Sequence, residues 1–222
     1  MNTYEIIIKP QTGFGTPLKG DTIFGHFCWQ IAHDEELSGN DLNTLLSNYA
    51  TVPFAVFSSA CPRFCIEGSH YYVLRTPSLP PEDMFELPEE KRERIKKMKE
   101  YKDRKWMVLN KDSGFSSFRE LSFLTDDALF EDIKAGLSED TIKILRKSDT
   151  RNFVAPFSQS HNKINRLTGT TGMEGFAPFT VEQHMFLPET ELALFVGIDE
   201  EIIKIDQVKS GIERIGWTGF GK

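Results

Sequence analysis

The residues most suited to chemistry form one polar run, His161-Asn-Lys-Ile-Asn-Arg-Leu-Thr-Gly-Thr-Thr171. Amide and hydroxyl donors beside an Arg suit the phosphates and 2′-hydroxyls of RNA, and an Arg can also stack on an unpaired base. The alternative is a surface loop in which Thr and Asn side chains cap turns. The candidate binding residues of the run are His161, Asn162, Lys163, Asn165, Arg166, Thr168, Gly169 and Thr170.

Two further segments offer weaker contacts. The sequence ends in Gly216-Trp-Thr-Gly-Phe-Gly-Lys222, where Gly219 and Gly221 would let RNA approach the backbone and Lys222 would add a cation. A helix C-cap at Gly216 followed by a disordered tail is the alternative. Lys19, just before the first predicted helix, is either a phosphate ligand or a solvated lysine.

Composition limits the functional classes. The 222 residues carry a net charge of -7, which counts against a protein that binds nucleic acid by itself. The segment from Lys91 to Lys105 nevertheless holds nine basic and three acidic residues, so it is either a local basic face or an ordinary solvated helix. No membrane span, secretory signal, metal-site or cofactor motif is present, and three cysteines without a CxxC pair predict a reducing cytoplasm.

The elements that must position these residues are predicted from hydrophobic spacing. Residues 4–9 form a strand and residues 22–33 an amphipathic helix capped by Asp21. Near the other end, residues 175–187 and 191–198 form a hairpin, and residues 205–215 form a helix. The middle is predicted as strands at 53–59, 70–75 and 105–109 and helices at 41–49, 89–104, 117–124, 126–135 and 138–147.

This order predicts an α+β, ferredoxin-like (RRM-like) fold with a long insertion after the first helix and its last strand absent. The core would comprise residues 1–35 and 150–222, and residues 36–149 would form an insertion of mixed short helices and strands. A sheet that lacks its last strand leaves an unpaired edge. We therefore expect that the natural protein continues or that another chain supplies the strand.

Three segments in this order resemble the RAMP superfamily of CRISPR-associated proteins. They are Gly20-Asp-Thr-Ile-Phe-Gly-His-Phe-Cys-Trp29, the 161–171 run and the 216–222 segment. The sequence is most similar to the Csm-type subunit of type III effectors that caps the guide-RNA 5′ end, in the Cas-five-like group. The resemblance covers residues 1–35 and 150–222, and the middle matches only loosely. Family members usually continue with a further glycine-containing loop and a strand, where this sequence stops.

The resemblance implies a non-catalytic subunit that holds the repeat-derived 5′ tag of the guide RNA. It also implies two protein partners, the large polymerase-like subunit and a backbone RAMP subunit. A rival function is a metal-independent RNA-processing endonuclease in which His26 acts as general acid or base, although packing or capping would equally explain that residue. A second rival is a purely structural adaptor whose contacts are all with protein.

Overall fold

The computed structural model describes residues 1–148, 152–171 and 177–219. The described part of the chain alternates short helices and antiparallel strands, with 3₁₀ turns at Glu35–Leu37 and Phe118–Glu120. The strands are β1 (Asn2–Ile8), β2 (Ala55–Phe57), β3 (Cys61–Ile66), β4 (Ser69–Arg75), β5 (Trp106–Asn110), β6 (Ser122–Leu124), β7 (Val154–His161), β8 (Phe179–Phe186) and β9 (Glu191–Ile198). The helices are α1 (Gly20–His33), α2 (Leu42–Ser47), α3 (Pro81–Met84), α4 (Lys91–Lys102), α5 (Asp126–Lys134), α6 (Glu139–Ser148) and α7 (Ile205–Thr218).

The main sheet has the order β1-β9-β3-β4-β5-β6, and β2 also pairs with β9. Strand β9 is apolar along most of its length because it lies inside the sheet and contributes to the core. It pairs with β1 over its full length, with β2 near Ile198 and with β3 near Glu191. Ser58 bridges the break between β2 and β3, since its backbone N donates to Phe195 O at 2.9 Å and its Oγ accepts from Phe195 N at 3.0 Å.

Helices α1 and α7 pack together over β1, β2 and β9. Their buried residues recur at helical spacing, with Ile23, Phe27 and Ile31 on α1. The two helices approach closely at Gly211, where a Cβ atom would lie 2.4 Å from the Phe27 ring. Gly20 allows a similar approach at the start of α1, because a Cβ there would lie 2.4 Å from the Phe57 carbonyl oxygen. The predicted α+β, ferredoxin-like core is confirmed.

The half of the main sheet formed by β3 to β6 has helices on both faces. On the face that α1 covers, α5 and α6 enclose a second core that includes Phe64, Trp106 and Leu129. On the opposite face, α3 packs Met84 and Phe85 against β5 and β6. Strands β2 and β3, inside the predicted insertion 36–149, pair directly with β9, and the domain boundaries at 35/36 and 149/150 stay a prediction.

The structure corrects one strand-pairing prediction and one helix prediction. The predicted hairpin of residues 175–187 with 191–198 is not formed by the described residues, because β8 pairs along its whole length with β7, which was not predicted. Residues 175 and 176 lie outside the described residues. A turn from Leu187 to Thr190 separates β8 from β9, and the apolar β9 enters the main sheet while the more polar β8 stays outside it. Residues 117–124 form a 3₁₀ turn and strand β6 in place of the predicted helix.

Both predicted helix caps are also corrected. Helix α1 begins at Gly20 with Lys19 at its N-cap, so Asp21 lies in the first turn, where its carboxylate accepts from Thr22 N at 2.8 Å. Helix α7 continues through Gly216 and ends at Thr218. Its C-cap is Gly219, whose φ of 87° is the left-handed conformation that favours glycine.

Candidate nucleic-acid interface

Strands β7 and β8 form a two-stranded sheet apart from the main one, which we call the arm. Eight residue pairs run from Val154 opposite Phe186 at its base to His161 opposite Phe179 at its tip. At about 3.3 Å per residue the arm is about 23 Å long. Most of its side chains are exposed, so its strands contribute little to a core and present their groups to other molecules.

The base of the arm is fixed to the body in two places. Phe14 and His184 exchange two backbone hydrogen bonds of 2.9 and 2.8 Å. Leu187 N donates to Phe153 O at 3.1 Å, and the buried Phe153 ring meets Trp106 edge-on at 5.2 Å. The base of the arm is therefore attached to the second core.

The tip carries a flat aromatic platform with a cation beside it. The rings of His161 and Phe179 stack with centroids 5.5 Å apart and an interplanar angle of 17°. Lys163 Nζ lies 5.7 Å from the centroid of the Phe179 ring. His161 Nε2 is shielded from solvent and has no hydrogen-bond partner among the described residues. An aromatic surface next to an ammonium group suits base stacking combined with phosphate binding.

The loop after β7 is shaped by Asn165. Its backbone N donates to Thr170 O at 3.1 Å, its carbonyl accepts from Gly169 N at 2.8 Å and its Oδ1 accepts from Leu167 N at 2.9 Å. The hydroxyls of Thr168 and Thr170 lie 2.8 Å apart, and Gly169 has a φ of 66°. These residues hold a tight turn, as the surface-loop alternative expects, and the turn also fixes the side chains beside it.

Three polar side chains of this loop remain available. Asn162, Lys163 and Arg166 are exposed, and neither of the two cations forms an ion pair within the described part of the chain. Two apolar side chains, Ile164 and Leu167, are exposed between them. Among the described residues, the loop therefore presents positive charge without a carboxylate partner, on a chain that is acidic as a whole.

A cleft of about 780 Å³ lies between the base of the arm and the main sheet. Its volume is in the range of sites for small organic groups. Burial raises the pKa of the Cys61 thiol in its wall to about 11. The lining is mostly apolar and includes Phe14, Trp106, Phe153, Phe186, His184 and Arg75.

Arg75 and Trp106 form the polar part of this cleft. The Arg75 guanidinium carbon lies 4.0 Å from the centroid of the Trp106 ring. Trp106 Nε1 donates to Asp126 Oδ1 at 2.7 Å, and Lys105 Nζ lies 2.6 Å from Asp126 Oδ2. The hydrogen bond from Lys105, and then that from Trp106, hold the pKa of Asp126 below its ordinary value. The ionised carboxylate fixes the indole, and the guanidinium carbon lies over the indole ring, where its N–H groups could bind a phosphate.

The structure brings some of the predicted residues towards the arm and leaves others apart. Lys19 is exposed and follows Leu18, which lines the cleft. Gly219 lies at the end of α7, and no hydrogen bond among the described residues joins it to the arm loop. Gly221 and Lys222 lie outside the described residues. His26 is half-buried on α1, next to the buried Phe27.

Three residues that lie outside the polar run complete this interface. Phe179, Arg75 and Trp106 are far from the polar run in sequence, and only strand pairing brings them to the arm or its cleft. Phe179 has no local signal, because its position opposite His161 depends on the register of β7 and β8. The stacking of Arg75 on Trp106 follows from the register of β4 and β5, in which these two residues are paired.

No family model and no curated protein matches the sequence. Among solved structures, a chain in the crystal structure of a Csm1-Csm4 cassette in complex with cA4 aligns with 99% of this chain and 68% of its own length, at a TM-score of 0.53 and 15% identity. A chain of a Csm3-Csm4 subcomplex in the type III-A CRISPR-Cas interference complex covers 98% of this chain and 65% of its own, at a TM-score of 0.44 and 13% identity. The first likeness shows that this chain shares the fold of a chain in that cassette, as the resemblance of the three sequence segments predicts. No helix of the described residues is long and apolar enough to cross a membrane.

Proposed function

We propose that this chain is a non-catalytic subunit of a type III CRISPR effector complex that binds the 5′ tag of the guide RNA through the arm and its cleft. The observation that carries the proposal is the stacked His161–Phe179 pair at the arm tip, with Lys163 beside it and a second exposed cation, Arg166, in the loop that follows. The fold shared with a chain of the Csm1-Csm4 cassette supports the assignment to this class of assembly.

The arm offers two places where a single strand of RNA would be held. From Phe179 at the tip to His184 beside the cleft, β8 extends about 17 Å at about 3.3 Å per residue. Each place combines an aromatic ring with a cation: Phe179 with Lys163 at the tip, and Trp106 with Arg75 at the cleft. Successive bases would stack on the rings, and the phosphates between them would be bound by the cations.

The acidic balance of the chain favours binding inside an assembly. With a net charge of -7, the whole molecule repels a polyanion, and only the local cations attract it. We therefore propose that the large polymerase-like subunit on one side and a backbone RAMP subunit on the other complete the RNA-binding channel. The three cysteines are free, which fits a reducing compartment, the cytoplasm.

The test measures RNA affinity against salt for the double variant Lys163→Gln, Arg166→Gln. The control is Lys134→Gln, Lys143→Gln, which removes the same charge from cations that pair with carboxylates on α5 and α6. Fluorescence anisotropy would follow binding of a labelled guide RNA to the assembled complex. Loss of two phosphate contacts should reduce the magnitude of the slope of log binding constant against log salt concentration, called the salt slope below, by about 1.4, since each contact on a single strand contributes about 0.7.

A second RNA of equal length without the repeat-derived tag separates tag binding from general attraction. We expect the arm variant to weaken binding of the tagged RNA more than of the untagged RNA, and the control to affect neither. If the arm variant binds the tagged RNA like the unmodified protein over the whole salt range, the proposal fails and the structural-adaptor alternative gains.

A further inference from the structure

We infer that helix α4, together with Arg104 and Arg119, forms a second binding surface for single-stranded nucleic acid, independent of the arm. The segment from Lys91 to Lys105 carries nine basic and three acidic residues. The function proposed for the arm does not involve this segment. The segment packs on one face of the main sheet, and the base of the arm is fixed to the second core on the opposite face.

Helix α4 contributes almost nothing to the core. None of its residues is buried. It is held by Tyr101, whose ring stacks on Phe85 with centroids 3.9 Å apart and an angle of 7°, and by an ion pair between Arg94 and Glu82. A helix that is polar on nearly all sides gains little from burial, so its composition is not explained by packing.

The exposed cations of α4 are not compensated by carboxylates. Among the described residues none of the six exposed cations of α4 forms an ion pair, and neither do the helix's own Glu93 and Glu100. Like charges three or four residues apart repel each other and destabilise a helix in isolation. A bound polyanion would remove this repulsion. The six cations are Lys91, Arg92, Lys96, Lys97, Lys99 and Lys102.

Two arginines beside the helix line a pocket of about 360 Å³. The Arg104 guanidinium lies 5.1 Å from the Tyr101 ring centroid, and its Nη1 donates to Phe123 O at 3.5 Å. Arg119 Nη2 donates to Glu82 O at 2.5 Å. Neither guanidinium has a carboxylate partner in the described part of the chain, although Glu86 also lines the pocket. Both retain donors that fit a phosphate.

The surroundings favour nucleic acid over an acidic protein surface. Arg104 lies over an aromatic ring, and the exposed Phe115 lies 6.2 Å from Phe118, next to Arg119 in the chain. Lysines that bind phosphates, combined with rings and guanidinium groups that accept bases, are typical of grooves for single strands. An acidic protein partner would use the lysines and leave the aromatic surface without a role.

The experiment uses the full chain with the arm already impaired by Lys163→Gln, Arg166→Gln, so that the two sites are distinguished. In this background the triple substitution Lys96→Gln, Lys97→Gln, Lys99→Gln removes three cations while keeping residues of similar helix propensity. The matched control, Lys134→Gln, Lys143→Gln, Lys209→Gln, changes the net charge equally on other helices. The probe is a labelled oligouridylate, and its affinity is measured at several salt concentrations.

We expect the α4 variant to reduce the salt slope by about 2 and to weaken binding by tens of fold at moderate salt, at about 0.7 of slope per contact. The control should leave the slope unchanged. Arg119→Gln alone should remove about one contact. Equal slopes in the α4 variant and the control would overturn the inference and favour a protein partner, without affecting the function proposed for the arm. Circular dichroism on both variants excludes loss of the helix as the cause.

Discussion

Replacement of Arg63 by Met should destabilise the fold well beyond the effect of a surface ion pair. Arg63 lies on β3, and its side chain is only 8% exposed. Its Nε lies 3.5 Å from Glu5 Oε1 of β1, and its Nη1 pairs with Glu191 of β9. Because β9 lies between β1 and β3, one guanidinium links three strands of the sheet that supports the arm.

The expected loss of unfolding free energy depends on the contacts that Glu5 and Glu191 keep after the substitution. Removal of one partner from a fully buried ion pair costs about 3–5 kcal/mol. Here Glu5 and Glu191 are 18% and 24% exposed, and they keep Lys111 at 2.7 Å and Lys9 at 3.5 Å. Partial solvation and the remaining lysines reduce the cost to about 2 kcal/mol, which corresponds to a fall in Tm of about 4–8 °C for a chain of this size.

Urea denaturation at constant temperature and calorimetry would measure the loss in parallel. The control is Arg94→Met, since Arg94 and Glu82 form an ion pair whose side chains are 43% and 52% exposed. An exposed pair of this kind contributes less than about 1 kcal/mol. If Arg63→Met costs no more than Arg94→Met, the argument that a shielded guanidinium holds the three strands together is refuted.

The difference between Arg63→Met and the unmodified protein should also depend on pH. Burial opposes ionisation of Glu5, but hydrogen bonds from Lys111 and Tyr72 outweigh it and lower the pKa of this carboxyl. A lowered folded-state pKa contributes stability above the unfolded pKa and loses it as pH falls through the folded pKa. A protonated Glu5 carries no charge for Arg63 to neutralise. The difference in unfolding free energy between Arg63→Met and the unmodified protein should therefore decrease as the pH is lowered.

Three further predictions concern the arm, the helix contact and catalysis. Phe179→Ala should weaken RNA binding by about 1–3 kcal/mol through lost stacking, whereas Phe157→Ala, also exposed on the arm, should change the affinity little in the same titration. Gly211→Ala places a Cβ 2.4 Å from the Phe27 ring and should cost about 1–3 kcal/mol of unfolding free energy in urea. Purified protein should not cleave repeat RNA in EDTA; cleavage that disappears in His26→Ala would contradict a non-catalytic subunit.

The sequence predicted well those elements that bury one face at a regular spacing. Helix α1 was recognisable because Phe27 and Ile31 recur with the period of a helix, and α7 because Val208 and Ile215 do. The strands β1 and β9 were also recognisable from short apolar runs. In each case the information is local, because the residues that share a buried face lie within one or two turns or one strand of each other.

The binding candidates were predicted only in part. The polar run was visible because Lys163 and Arg166 stand among small donors, but its partner Phe179 was not, since no local spacing relates them. The outer half of β7, from Ser158 to His161, carries polar residues on both faces, and such strands specify their register weakly. Its register is therefore set where Phe153 and Leu187 enter the second core.

What the sequence by itself determined is the set of elements with an apolar face and the presence of a cationic loop on an acidic chain. Only the tertiary structure decided that β8 pairs with β7, that Trp106 and Arg75 meet at the cleft, and that α4 stays outside the core. The physical reason is that each of these outcomes depends on contacts between segments far apart in the chain. Their free energy comes from burial that no single segment achieves alone.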